Sequence, residues 1–485
     1  MNLASNLGRR PTSKPRQESR VSSSPTTDAI TNFPNKESSA RRRKLKFGMI
    51  VSGVGGGGGG SGTELWRLPD VPTNASTNID WYIQQAQEAE EALFDFVFAT
   101  DSQYIEPTFT QHHLNRLEPL SMLAAVATHT RHIGLAATVS TSYSEPFDVA
   151  RRFASLDLIS GGRAAWNIVT SYDTGTAGNF SRTGHGDYPD RYRRGSEAVK
   201  VVQGLWNSYE DGAFATSKSA DSYLDPEKIH RLDHRGEFFA VTGPLNVQRS
   251  RQGQPVLIQA GTSEDGRELN AQVADVVFSF ARSVEWAADF ANDVRRRAQL
   301  HGRNPDDLIF IPALSVRIRE TDEEARAAET ATLAKRSVLR RLDRLRRQYP
   351  QVDFDQLELD SPLPEFGSKA AVSAVEELYE EAYRNGWTLR QLLDASAYHH
   401  AHFVGSPVTV ADEIEAWYRS GAVDGFNIFA GEPEDFAAFR TLVVPILQAR
   451  GIYRTEYEGD TLRQVLEIPV PVNSHTLAAI GSGTA

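Results

Sequence analysis

From Leu45 onward the chain alternates two patterns of apolar positions. One is a short run of mostly apolar residues, at 45–51, 94–99, 132–138, 164–170, 255–260, 275–279, 308–314 and 425–429. Runs of this length, rich in Val, Ile, Phe and Ala, predict strands covered on both faces. The other is a longer stretch with apolar residues three and four apart, at 79–93, 118–130, 146–158, 190–208, 265–273 and 283–301. That spacing predicts helices with one buried stripe. Strand-then-helix alternation implies parallel pairing. Eight such units predict an α/β fold closed into a (β/α)8 TIM barrel rather than an open sheet.

Two segments interrupt the rhythm: an irregular excursion at 209–250 and a charged helical insertion at 322–400. The expected organisation is a basic tail at 1–43, a barrel at 44–466 carrying both insertions, and a C-terminal tail at 467–485. Residues 1–46 hold eleven Lys/Arg against three acids, with Ser22-Ser23-Ser24-Pro25 and further prolines. This composition fits a disordered tail better than the organellar transit peptide that an Arg/Ser-rich start also suggests. The whole chain carries a net charge of −11, so its folded part is acidic and gives nucleic acid no basic face. It has no cysteine, which excludes disulfides, thiolate nucleophiles and cysteine-ligated zinc. With no apolar run of about 18 residues and no secretory apolar core, a soluble cytoplasmic protein without a membrane partner is expected.

A barrel of this kind gathers its chemistry where the strands end. The predicted ends carry Thr100-Asp101, Thr138 to Thr141, Asn167 to Ser171, and Gly261-Thr262-Ser263. Each is by itself more simply a helix cap; together they point to one rim. Gly261-Thr262-Ser263 also opens a predicted helix, whose free N–H groups and positive dipole end suit a phosphate. The six glycines 55–60 after the first strand invite a nucleotide-loop reading. A P-loop, however, needs a lysine followed by Ser or Thr. Here Thr63-Glu64 follow Gly62, and no lysine lies between Lys46 and Lys200. The glycines are therefore read as a mobile lid on the same rim. His399-His400 with His402 is the densest histidine group, but without an H-E-x-x-H spacing or facing carboxylates no metal is expected.

Longer stretches carry a family resemblance. They are "LEPLSMLAAVATHTRHIGLAATVSTSYSEPFDVARRFASLDLISGGRAAWNIVTS" (117–171), "DRYRRGSEAVKVVQGLWNSYEDGA" (190–213), "PVLIQAGTSEDG" (255–266), "VADEIEAWYRSGAVDGFNI" (410–428) and "VVPILQARGIYRTEYEGDTLR" (443–463). Through them, residues 44–466 resemble the bacterial luciferase-like flavin monooxygenases, in the nitrilotriacetate monooxygenase component A and dibenzothiophene-sulfone monooxygenase group. The resemblance implies an FMNH2-dependent monooxygenase of a two-component system. Such an enzyme takes reduced FMN from an NAD(P)H:flavin reductase, forms a C4a-peroxide with O2 and inserts one oxygen into a small organic substrate, with sulfur- or nitrogen-containing xenobiotics among the options. It also implies a homodimer or homotetramer. The flavin contacts it implies are Asp101, Thr138, Tyr188, Tyr192 and Ser263, with Asn167 and Tyr188 as catalytic candidates.

The resemblance has two departures. In "HGDYPDRY" Tyr188 stands where the family has histidine, exchanging a group that titrates near neutrality for a phenol that does not. The polyglycine replaces a shorter loop before Trp66-Arg67-Leu68-Pro69. A barrel oxidoreductase using the deazaflavin F420 and a non-catalytic flavin-binding relative stay open at this point.

Overall fold

The computed structural model describes residues 43–477, apart from 56–64, 106–115, 172, 220, 336–340, 343–344, 347–351, 366–372, 397, 399 and 430. Its strands are β1 (Lys46–Ile50), β2 (Phe96–Ala99), β3 (Gly134–Ser140), β4 (Ala164–Val169), β5 (His234–Arg235), β6 (Ala240–Val241), β7 (Val256–Gln259), β8 (Val276–Val277), β9 (Ile309–Phe310), β10 (Ala313–Ile318), β11 (Ala401–Gly405) and β12 (Gly425–Phe429). β5 and β6 form a separate antiparallel pair; the other ten make one parallel sheet. Around it, β1 pairs with β2, β2 with β3, β3 with β4, β4 with β7, β7 with β8 and β8 with β9.

Closure of the sheet runs past a proline. β9 and β10 are one strand interrupted at Ile311-Pro312, where Pro312 has no N–H to offer a ladder. Across the gap, Asp424 N donates to Phe310 O at 2.8 Å and Asn427 N to Pro312 O at 2.9 Å. β10 then pairs with β12, and β12 with β1, so eight strand positions form the (β/α)8 barrel expected from the sequence. Each predicted strand coincides with one of these positions. The surprise is β11, which pairs only with β10 outside the ring. Its five residues, Ala-His-Phe-Val-Gly, follow directly on a charged helical region and carry no separate signal.

Side chains alternate across the sheet as strand geometry requires. Ile50, Phe96, Phe98, Ala136, Ala165, Val256, Ile258 and Phe429 fill the lumen, with small residues set against the phenylalanines. Leu462 and Leu466 close the lumen from below. Gly134 makes room for this plug, since a Cβ there would stand 2.6 Å from the Leu462 side chain. The opposite set, including Phe47, Val97, Leu135, Trp166 and Phe426, packs against the helices. Between the helix Tyr188–Trp206 and β7 the chain makes the β5–β6 pair and one short 3-10 turn, Pro226–Lys228. Between β10 and β11 lie helices Asp322–Lys335, Ser373–Arg384 and Leu389–Ala395. Leu345, Phe354, Leu378, Leu389 and Leu392 form a small apolar cluster of their own there. Among the described residues no helix is long and apolar enough to cross a membrane.

Candidate active site

The polar residues singled out by sequence fall into three groups on the C-terminal side of the strands. Thr138 and Asn167 are register partners on β3 and β4, pointing into the upper lumen with the parity of Ala136 and Ala165. Asn167 Nδ2 donates to Thr138 Oγ1 at 2.8 Å. Both side chains are buried, and Asn167 Oδ1 has no hydrogen-bond partner among the described residues. A buried carbonyl oxygen left open costs free energy unless something donates to it.

The second group is Tyr188, Tyr192 and Ser263. Tyr188 and Tyr192 lie one turn apart on the helix Tyr188–Trp206, so their rings share one face, with centroids 5.0 Å apart. Ser263 is the N-cap of the helix Glu264–Val273, its Oγ accepting from Gly266 N at 3.2 Å. The Tyr188 hydroxyl hydrogen-bonds Ser263 Oγ and donates to the Tyr192 hydroxyl at 3.4 Å. Burial pushes the Tyr192 phenol well above its ordinary value, and the neighbouring Tyr188 adds to the effect. The loop beneath is fixed: Gly261 N donates to Gln259 Oε1 at 2.8 Å, and Asn270 Nδ2 to Gly261 O at 2.7 Å. Gly261 and Gly266 pack backbone to backbone, and a Cβ on Gly261 would fall 2.6 Å from Gly266 Cα. The result is a rigid N–H-lined helix start flanked by three hydroxyls, a donor set matched to a phosphate.

Asp101 follows the end of β2, the strand beside β3. Burial raises its carboxyl to about 6, offset in part by the Arg116 guanidinium and by the Ser102 N–H. Arg116 Nη1 donates to Thr100 O at 2.7 Å and to Thr100 Oγ1 at 2.6 Å, which holds the end of β2. Arg116 also lines a cavity with Val51, Thr100 and Tyr82, whose hydroxyl burial pushes up to about 12.

Sequence reasoning missed Arg116, and it missed a pair on the rim formed by Tyr143 and His185. The only signal for the histidine was its place three residues before Tyr188. The histidine group set aside above has partners in the fold. His400 Nε2 is 2.7 Å from Ser315 Oγ, and His402 stacks on Tyr398 and faces Glu329 at 3.4 Å. His399 and glycines 56–60 lie outside the described residues, so the expected lid does too.

A parallel barrel with hydroxyls, amides and a perturbed carboxyl collected above its strand ends is the architecture of a barrel enzyme. The Luciferase-like monooxygenase family matches residues 45–424, and the chain belongs to that family. It is 41% identical over 444 residues to N-acetyl-S-(2-succino)cysteine monooxygenase of Bacillus subtilis (strain 168), covering 90% of this chain and 99% of that one. It is 40% identical over 453 residues to nitrilotriacetate monooxygenase component A of Aminobacter aminovorans, covering 90% and 98%. A crystal structure of long-chain alkane monooxygenase superposes with a TM-score of 0.76 at 30% identity, covering 88% and 96%. The chain is a flavin-dependent monooxygenase of the nitrilotriacetate and dibenzothiophene-sulfone group.

Proposed function

We propose that this chain is the oxygenating component of a two-component system, taking FMNH2 from a separate NAD(P)H:flavin reductase and using O2 to oxygenate a small organic substrate. The observation that carries the reading is the convergence of Tyr188, Tyr192 and Ser263 on the N-terminus of the helix Glu264–Val273. There the hydroxyls and free N–H groups would hold the FMN phosphate. Asn167 and Thr138 would meet the polar edge of the ring or the ribityl chain through the open Asn167 Oδ1, and Asp101 would accept from a ring N–H when ionised.

Bound reduced FMN supplies the electrons that activate O2; the protein's own residues bind, orient and exclude water. The upper lumen suits that task, since Phe98, Phe278 and Ile258 give Thr138 and Asn167 an apolar surround that excludes water. The Tyr188 hydroxyl serves as a hydrogen-bonding group at this site. For the substrate we favour a small carboxylated molecule built around sulfur or nitrogen. The two relatives at about 40% identity are named for such molecules, and the Arg116 cation lines a cavity with Thr100 at the end of β2. We assign residues 44–466 to this catalytic barrel, with 209–250 and 322–400 as insertions between 1–43 and 467–485, acting as a homodimer or homotetramer. The test is reconstitution with a flavin reductase, NAD(P)H and O2. Oxygenation of N-acetyl-S-(2-succino)cysteine or nitrilotriacetate that needs all three supports the reading. Oxygenation independent of flavin contradicts it.

A further inference from the structure

His185 has no place in the function proposed above, yet it ties the segment before the helix Tyr188–Trp206 to the end of β4. The segment between β4 and the helix Tyr188–Trp206 leaves the sheet at Ser171, whose φ of 55° is in the left-handed region. A non-glycine residue there is strained and needs its surroundings to hold it. The Ser171 carbonyl faces His185 Nε2 at 3.3 Å, so Nε2 carries the ring proton. His185 Nδ1 is then an acceptor, and the Tyr143 hydroxyl donates to it. Burial and the nearby Arg191 cation both lower the imidazole's pKa, in keeping with this neutral tautomer.

Tyr143 is itself well placed to anchor the segment. It is buried just past the end of β3, where Ser142 Oγ donates to Thr170 O at 2.6 Å and Ser140 Oγ lies 2.7 Å from Ser171 Oγ. Its ring stacks on Phe180 at 4.9 Å and lies beneath the Arg182 guanidinium at 5.2 Å. From His185 the chain turns through Gly186, at φ 79°, and starts the helix that carries Tyr188 and Tyr192. Arg191 Nη1 closes the turn on Gly186 O at 2.9 Å. A path of fixed contacts thus runs from β3 through Tyr143 and His185 to the tyrosines facing Ser263.

We propose that His185, held by Tyr143, is a positioning residue that sets the two tyrosines against Ser263 and so governs how well the site recognises the phosphate of its flavin. This rests on the flavin reading, and it concerns the phosphate end alone. The experiment compares FMN with riboflavin, which lacks the phosphate, by anaerobic titration of the reduced flavins into the full chain. His185→Ala should lower the preference for FMN over riboflavin about fivefold, the worth of one hydrogen bond. Tyr143→Phe, which keeps the ring stack and loses only the donor, should lower it about threefold by the same measure. His185→Gln, able to donate to Ser171 and accept from Tyr143, should restore it to within about twofold. Equal loss of both flavins in the first two variants, or an unchanged preference in both, overturns the proposal. A wild-type protein that binds neither flavin overturns the flavin reading itself, and this inference with it.

Discussion

The N-terminal end of the barrel and the strand ends around the candidate site treat their buried polar groups in opposite ways. At the N-terminal end the charges are matched internally. Asp95, just before β2, accepts from Phe47 N at 2.6 Å and pairs with Arg454. Asp275, just before β8, accepts from Leu257 N at 2.9 Å and from Arg463 Nη2 at 2.8 Å. Asp424, just before β12, accepts from Phe310 N at 2.8 Å. Lys46 Nζ donates to Val465 O at 2.9 Å and to Glu467 Oε1 at 2.7 Å. Three aspartates in the same position thus finish the ladder where neighbouring strands begin, and the segment that plugs the lumen is tied down by ion pairs. At the C-terminal end, β10 keeps a matched cluster of Arg317 with Glu329, Glu432 and Asp435, but after β2, β3, β4 and β7 the groups are mostly neutral hydroxyls and amides that bond one another, with an open Asn167 oxygen and a carboxyl held near 6 by burial. Internal matching serves stability; groups left with only each other are ready for a ligand.

Breaking a matched charge at the lower end should have the largest effect. Asp95→Ala leaves the Arg454 guanidinium buried without its counter-charge and should cost about 3–5 kcal/mol. Urea denaturation measures this. At the upper end, Tyr192→Phe removes one of the donors proposed to hold the flavin phosphate and should weaken reduced FMN binding about tenfold or more, as expected for a hydrogen bond to a charged group. Its unfolding free energy should move by no more than about 1 kcal/mol. A loss of stability as large as that of Asp95→Ala would erase the distinction between the ends.

The Asp101 carboxyl sharpens the comparison through pH. Its folded value is raised to about 6, so ionising it costs stability. The favourable contribution of the bound proton is full below the ordinary carboxylate range and is lost as pH rises through about 6. Flavin affinity should run the other way, rising through the same interval as the carboxylate becomes an acceptor. In Asp101→Asn both dependences should flatten, which titrations at pH 5 to 8 would reveal. The smallest effect belongs to Tyr188→His. An imidazolium beside the phosphate should tighten FMN binding about threefold below the ordinary histidine pKa of about 6.5 and leave it unchanged above. Affinity equal at both ends of that range would mean that position 188 does not face the phosphate.

The contrast between the ends also explains what could be read from the sequence. Barrel strands such as Phe96–Ala99 and Ala164–Val169 are covered on both faces, so their composition betrays them. Ser263 was legible because a cap residue after Gly-Thr is a local signal. β11 was not, because a five-residue edge strand after a charged stretch has no pattern of its own. The break at Pro312 was also hidden: the run 308–314 is apolar throughout, and only the pairing reveals that β9 and β10 have different neighbours. Arg116 and His185 act through Thr100 and Ser171, contacts that exist only once distant segments meet. The aspartates before β2, β8 and β12 look like ordinary loop acids until the register shows them facing Phe47, Leu257 and Phe310.

The claim that the upper rim is built to receive a flavin phosphate is tested most directly by anaerobic titration of reduced FMN into the full chain and into its Tyr192→Phe, Ser263→Ala double variant. The account predicts saturable binding of one flavin per chain in the wild type, and at least about tenfold weaker binding in a double variant that still folds. Equal affinity in the two proteins would contradict it.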